Sequence, residues 1–266
     1  MNAAASRSDG FPAVNCEIEG CPSRRSLETE AAARRPYLDV RWLGRVEFAP
    51  ALALQEEIVA RKWNDASMED HLLLLEHEPV YTIGRTPDQS SLSATGSRPT
   101  RDGELGAARL PHPLFAINRG GQATYHGPGQ LMGYPIIDLR RCGHDLHKYL
   151  RWLERILIEM LAEYGIAATQ RESFTGVWVQ DRKIASIGVG VRHWITMHGL
   201  ALNVCGDLSP FNHIVPCGIN NVAMTSMQKE TGHTFSVAGV ASRLEKLALN
   251  RISDLRSAPQ AEMVNV

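Results

Sequence analysis

The sequence predicts an α+β fold, a mixed β-sheet with helices packed on one face. Three observations lead there: short apolar or alternating runs recur along the chain, helical spacing is sparse among them, and there is no internal repeat. Residues 37–48 (YLDVRWLGRVEF) alternate as a strand does. Ala49 to Ala66 carries Leu52, Leu54, Ile58, Val59 and Trp63 at helical spacing, with Pro50 suited to a first turn. Leu72-Leu73-Leu74-Leu75 reads as a strand buried on both faces, and Val80–Ile83 follows it after a turn at Pro79. From Gly84 to Pro113 the chain is rich in Ser, Thr, Gly, Pro and Arg, a connection long enough to be functional or mobile. Leu114–Ile117 and Leu131–Leu139 read as strands on either side of a glycine-rich segment. The clearest helix is His144 to Tyr164, where Leu146, Tyr149, Leu150, Leu153, Ile156, Leu157, Met160 and Leu161 form one stripe and Gly165 is the stop. Gly176–Gln180 and Lys183–Val191 form a hairpin, and Val191–Thr196 and Leu200–Val204 are two further strands. A last amphipathic helix spans Phe235 to Asn250.

These elements place one domain at 36–250, a flexible extension at 1–35 and a poorly ordered tail at 251–266. The 266 residues carry 28 Lys+Arg against 29 Asp+Glu, a net charge of −1, which gives no footprint for binding nucleic acid or a membrane surface. A 44% hydrophobic and 21% charged composition is that of an ordinary globular chain, and no apolar run approaches the ~20 residues that span a bilayer. The extension has no apolar centre for export, and its arginines are matched by acids, unlike a transit peptide. Cysteines at 16, 21, 142, 205 and 217 are odd in number and irregular in spacing. Reduced thiols in a cytoplasm are therefore expected, not a disulfide framework.

Several common motifs are missing: no phosphate loop, no G-x-G-x-x-G, no G-x-S-x-G and no H-E-x-x-H. Three other segments can carry chemistry. Arg119-Gly120-Gly121-Gln122-Ala123-Thr124-Tyr125-His126-Gly127-Pro128-Gly129-Gln130 removes Cβ atoms so that a ligand can lie along the main chain, and supplies repeated donors; a glycine-rich hairpin is the plainer reading. In Lys183–Val191, small residues at 185, 186, 188 and 190 leave a shallow trough beside a lysine that would otherwise be a solvated strand end. In Asn212–Ile219, Cys217 stands between Pro216 and Gly218, where a turn presents a thiol; a buried inert cysteine is the ordinary alternative. Cys205, His213 and Cys217, joined by His126, His193 or His198, lack the paired spacing of a structural zinc site, so no metal is expected.

Together these segments resemble the lipoyl(octanoyl) transferase family. The resemblance rests on HEPVYTIGR at 77–85, RGGQATYHGPGQLMGYPIIDL at 119–139, GVWV at 176–179, KIASIGVGVRHWITMHGLALNV at 183–204 and FNHIVPCGI at 211–219, and covers roughly Tyr37 to Asn250. It implies the fold of the biotin and lipoate protein ligase catalytic domain. It also implies transfer of an octanoyl group from acyl carrier protein, through a cysteine thioester, to the lysine amine of lipoyl domains in 2-oxoacid dehydrogenase complexes and the glycine cleavage H protein. By the same resemblance Cys217 is the nucleophile and Lys183 its partner. Arg119, Gly120, Gly121, Gln122, Ala123, Thr124, Tyr125, His126, Ser186, Ile187, Gly188, Gly199, Leu200 and Ala201 would line the acyl site. The donor is already an activated thioester, so neither ATP nor metal is expected. The alternative is an ATP-dependent lipoate or biotin-type protein ligase, which would activate a free acid.

Overall fold

The computed structural model describes residues 38–86, 91–92, 110–172, 174–215 and 222–256. The expectations for residues 1–35 and for Cys217 lie outside them. Strand β1 (Leu38–Val46) leads through helix α1 (Phe48–Asn64) to β2 (Asp70–His77), which runs parallel to β1. After β3 (Val80–Ile83), β4 (Leu114–Ala116) and β5 (Thr124–His126), strand β6 (Gln130–Ile136) pairs antiparallel with β2. Helix α2 (Leu146–Glu163) is followed by β7 (Thr169–Arg171), β8 (Phe174–Val179), β9 (Arg182–Arg192) and β10 (Ile195–Asn203). The chain closes with β11 (Ala223–Met224) and helices α3 (Met227–Thr231) and α4 (Val237–Arg256). The main sheet has eight strands in the order β1-β2-β6-β10-β9-β8-β7, with β11 paired to β9; a second sheet has the order β4-β3-β5. Among the described residues no helix is long and apolar enough to cross a membrane.

The run Leu72–Leu75 shows how the layers are organised. Leu72 and Leu74 face a core built with α2 and α4, whereas Leu73 and Leu75 face a second core that includes Ala51, Ile58 and Val59 of α1. Helices therefore cover both faces, and the expectation of helices on one face is corrected. A strand apolar on both sides requires cover on both sides. The stripe of α2 packs as expected, with Asp145 capping its start by accepting from the Lys148 amide at 2.9 Å. The small sheet has its own core, in which Tyr81, Ile83, Leu114 and Tyr125 meet Phe211 and Ile214.

Several boundaries differ from the sequence reading: the expected strand Val191–Thr196 is split by a turn at His193 and Trp194, with φ of 53° and 63°, and the expected strand Leu131–Leu139 ends at Ile136. Residues 195–203 form one strand where a break was expected, because His198 and Gly199 remain in register with Val189 and Gly188 despite φ values of 58° and 155°. The last helix continues past Asn250 to Arg256. Ile252 and Leu255 are buried against the core, and Arg256 pairs with the buried Asp70. Of the expected tail, residues 251–256 are thus helical, and the rest lies outside the described residues.

Candidate active site

The site grows from the smallest residues of two paired strands. In β9 and β10, Ser186 faces Ala201, Ile187 faces Leu200 and Gly188 faces Gly199. These positions leave a trough, and the segment 118–121 is laid across its far end. The Gly120 amide donates to the Val189 carbonyl at 2.9 Å. A Cβ on Gly190 would sit 2.3 Å from the Asn118 carbonyl oxygen, so the close approach requires glycine there. The result is a narrow cavity of about 50 Å³ lined by Arg119, Gly120, Gly121, Gln122, Thr124, His126, Ser186, Ile187, Gly188, Gly199, Leu200 and Ala201, with Phe48, Ile117, Met132, Tyr134 and His198 completing the wall.

Sequence reasoning therefore gathered most of the wall into one place. Ala123 and Tyr125 are the exceptions. Residues 123–126 alternate, so these two side chains point away from the cavity into the core of the small sheet; the Tyr125 ring centroid lies 5.3 Å from that of Tyr81 and 5.6 Å from that of Phe211. They support the wall from behind. The wall residues missed by the sequence reading come from four places, namely α1, the residue after β4, β6 and β10, and of them only His198, beside Gly199, stood next to a proposed wall residue.

One directional chain of hydrogen bonds runs behind the cavity. Arg119 Nη2 donates to Thr82 Oγ1 at 2.8 Å and to the Thr82 carbonyl at 3.1 Å. The Thr82 hydroxyl is 3.3 Å from His126 Nε2, and His126 Nδ1 is 2.8 Å from Gln130 Oε1. The Gln130 amide nitrogen donates to Asn203 Oδ1 at 2.8 Å, and the Asn203 amide donates to the Thr225 carbonyl at 2.9 Å. Since Gln130 spends its N–H on Asn203, its oxygen accepts, which assigns a proton to His126 Nδ1. The burial of His126 keeps the second proton off, so the ring is neutral and its Nε2 accepts from the Thr82 hydroxyl. Burial, with His77 nearby as the next cause, holds its pKa down at about 3. His198 is likewise lowered to about 4 by burial and by the Arg119 charge. His77 sits in the same layer, its Nδ1 2.8 Å from the Val46 carbonyl and its Nε2 2.6 Å from the Tyr134 hydroxyl.

Lys183 is 2% exposed, at the start of β9 and three residues ahead of the cavity wall. Its Nζ lies 5.1 Å from the centroid of the Trp178 ring. Gly176, at φ 131°, leaves the room that its stem occupies: a Cβ there would fall 2.7 Å from Lys183 Cε. The backbone of Lys183 is pinned as well. Met224 pairs with it in β11, and the Thr225 amide donates to its carbonyl at 3.0 Å. Cys217 lies outside the described residues. The chain before it is held where the Val215 amide donates to the Ser91 carbonyl at 2.9 Å, and the chain after it returns through β11 to the first residues of β9. Of the described cysteines, Cys142 has its thiol pushed up to about 11 by burial, and Cys205 is raised by burial and by Glu76. Neither environment produces a thiolate.

A family model described as the lipoyl protein ligase A/B catalytic domain matches residues 47–247. Among curated proteins, an octanoyltransferase of Geobacter metallireducens is 45% identical over 226 residues, 84% of this chain and 99% of that protein. An octanoyltransferase of Geobacter sulfurreducens is 47% identical over 196 residues, 74% of this chain and 77% of that protein. Among solved structures, a lipoate-protein ligase A bound with ATP aligns with a TM-score of 0.59 at 15% identity, covering 81% of this chain and 86% of that one. A bi-partite lipoate protein ligase from Thermoplasma acidophilum aligns at 0.56 and 14% identity, covering 81% and 84%. At those identities the structures speak to the fold alone.

Proposed function

Because this chain belongs to the lipoyl protein ligase A/B catalytic-domain family, we propose that it works as an octanoyltransferase of protein lipoylation, in two steps. Octanoyl-acyl carrier protein gives its acyl group to Cys217 as a thioester, and the lysine amine of a lipoyl domain then takes it. The curated octanoyltransferases support the acyl group and the reaction class. The observation that carries the two-step reading is the buried Lys183 amine at the head of the small-residue trough.

The chemistry balances on these two residues. A cysteine of pKa ~8.5 is a few per cent thiolate at neutral pH. An ammonium ~4 Å away contributes up to about 4 kcal/mol at an effective dielectric of ~20, enough to bring a thiol pKa down to roughly 6. The Cys217 thiolate attacks the donor carbonyl, the C–S bond to the phosphopantetheine arm breaks, and the Lys183 ammonium protonates the departing sulfur. Lys183 is then a neutral amine. It accepts the proton released as the lipoyl-domain lysine attacks the Cys217 thioester, which returns the thiolate and the ammonium together. No step consumes ATP. Burial of the chain in the trough favours octanoyl by ~0.8 kcal/mol per methylene.

The test is intact-protein mass measurement after incubation with octanoyl-acyl carrier protein and no acceptor. An octanoyl increment that maps to Cys217, is absent from Cys217→Ser and is discharged by a lipoyl domain is the expected result. Absence of the increment, or transfer from free octanoate that requires ATP, would replace this reading with a ligase.

A further inference from the structure

A second cavity, of about 260 Å³, lies on the same face of the sheet, one step further along β9 and β10. Its walls include Val59, Met197 and Arg192, and it shares only Ile117 and His198 with the first cavity. The order along the strands is fixed by pairing. Ser186 with Ala201 and Gly188 with Gly199 belong to the first cavity; Met197, paired with Gly190, belongs to the second. Lys183 stands at the opposite end from the partition, so a chain that starts near Lys183 and follows the trough meets Ile117 and His198 with its tail.

The partition is a built feature. His198 has φ 58°, a left-handed conformation that few non-glycine residues adopt, Asn, Asp and His most often among them. Its amide donates to Gln55 Oε1 on α1 at 2.8 Å, and the carbonyl of its strand neighbour Val189 accepts from Gly120. This pair is thus tied to α1 on one side and to the segment 118–121 on the other, and the His198 ring lines both cavities. His198 is 3% exposed, and its Nε2 has no hydrogen-bond partner among the described residues. A buried imidazole with an unused nitrogen is a costly way to fill space, unless the place it fills matters.

We infer that Ile117 and His198 form the end wall that limits the acyl chain, and that removing either joins the two cavities and admits longer acyl groups. The inference rests on the first cavity's being the acyl slot. Its consequence is specific. The wild-type slot stops a chain at the partition, whereas the space behind it is roomy, apolar on the side of Val59 and Met197, and rimmed by the exposed Glu56 and Arg192.

The experiment compares octanoyl, decanoyl, dodecanoyl and tetradecanoyl thioesters of acyl carrier protein as donors. Initial rates of enzyme acylation are read by intact mass for the wild type, His198→Gly and Ile117→Ala. Glycine accepts the backbone conformation at 198 without strain, and Ile117 is only half-buried, so the two variants test the wall independently of one another. Thermal melting of each variant records whether it is folded. Since each buried methylene is worth about fourfold in affinity, the dodecanoyl-to-octanoyl rate ratio should rise at least about tenfold in a variant that opens the wall. An unchanged ratio in both folded variants, with the wild type still taking octanoyl, overturns the partition and leaves the slot standing. If His198→Gly does not fold, Ile117→Ala decides alone. A wild type that takes no acyl chain in this cavity overturns the slot and the partition together.

Discussion

Lowering the pH from 7.5 to 5 should destabilise the protein through two histidines beside the slot. His126 and His198 have pKa values of about 3 and about 4 in the folded chain, against ~6.5 when unfolded. In both, the folded state rejects the proton that the unfolded chain accepts. The associated stability is complete above pH ~6.5 and falls as the pH drops below it, by ~1.4 kcal/mol per pH unit for each residue. Between pH 6.5 and 5 the loss is about 2 kcal/mol per histidine and about 4 for the pair, a large share of the ~5–15 kcal/mol that holds a domain together. His71 and His77, also lowered by burial, add in the same direction. Urea unfolding at the two pH values measures the difference. The same measurement on His126→Gln and His198→Leu should return a difference smaller by about 2 kcal/mol each, whatever the variants do to absolute stability. If the variants lose stability with pH as steeply as the parent, the two rings are not held neutral by burial.

Three further perturbations address the machinery and its supports. Gly176→Ala places a methyl 2.7 Å from Lys183 Cε at a φ of 131°, so acyl transfer should fall more than the melting temperature does, which parallel turnover and melting curves would show. Asn203→Ala removes the link between Gln130 and the Thr225 carbonyl and leaves two buried groups unsatisfied. A loss of about 1–3 kcal/mol per group in urea unfolding is expected, together with faster hydrogen exchange at the Thr225 amide as β11 loosens from Lys183. Asp70→Asn breaks a fully buried ion pair with Lys62, 2.9 Å away, and the contact to Arg256. It should cost about 3–5 kcal/mol in the same assay and free the last turn of α4 to exchange.

The fold was legible wherever a residue's role is decided by its neighbours along the chain. The stripe of α2, the doubly buried Leu72–Leu75 and the small residues of β9 all announce themselves in sequence. The glycines at 188 and 190 could be named as trough residues, but the reason for them could not. It is the backbone of residues 118–120, far away in the chain, that occupies the space their side chains would take. Position 123 and position 125 show the same limit from the other side. A polar, glycine-rich segment looks uniformly ligand-facing until a strand forms within it and alternation sends Ala123 and Tyr125 into a different core. His198 was hardest to place, since its amide is taken by Gln55, 143 residues earlier in the chain, and nothing local announces that contact.

The polar chain from Arg119 to Thr225 ties the first cavity to the strand that carries Lys183, although the lysine is not among the residues lining that cavity. Each link has a fixed donor and acceptor, so the chain cannot reverse without leaving a buried group unpaired. Its first member holds the segment laid over the trough. Its last is the carbonyl of the residue whose amide pins Lys183. A shift of the segment 118–121 therefore strains the same hydrogen bonds that seat the lysine strand. If Lys183 handles both proton transfers, as proposed above, such coupling would hold the chain-binding and proton-handling parts in one fixed relation. His126 at the centre relays position through two directed hydrogen bonds and, being neutral, adds no charge to the buried chain.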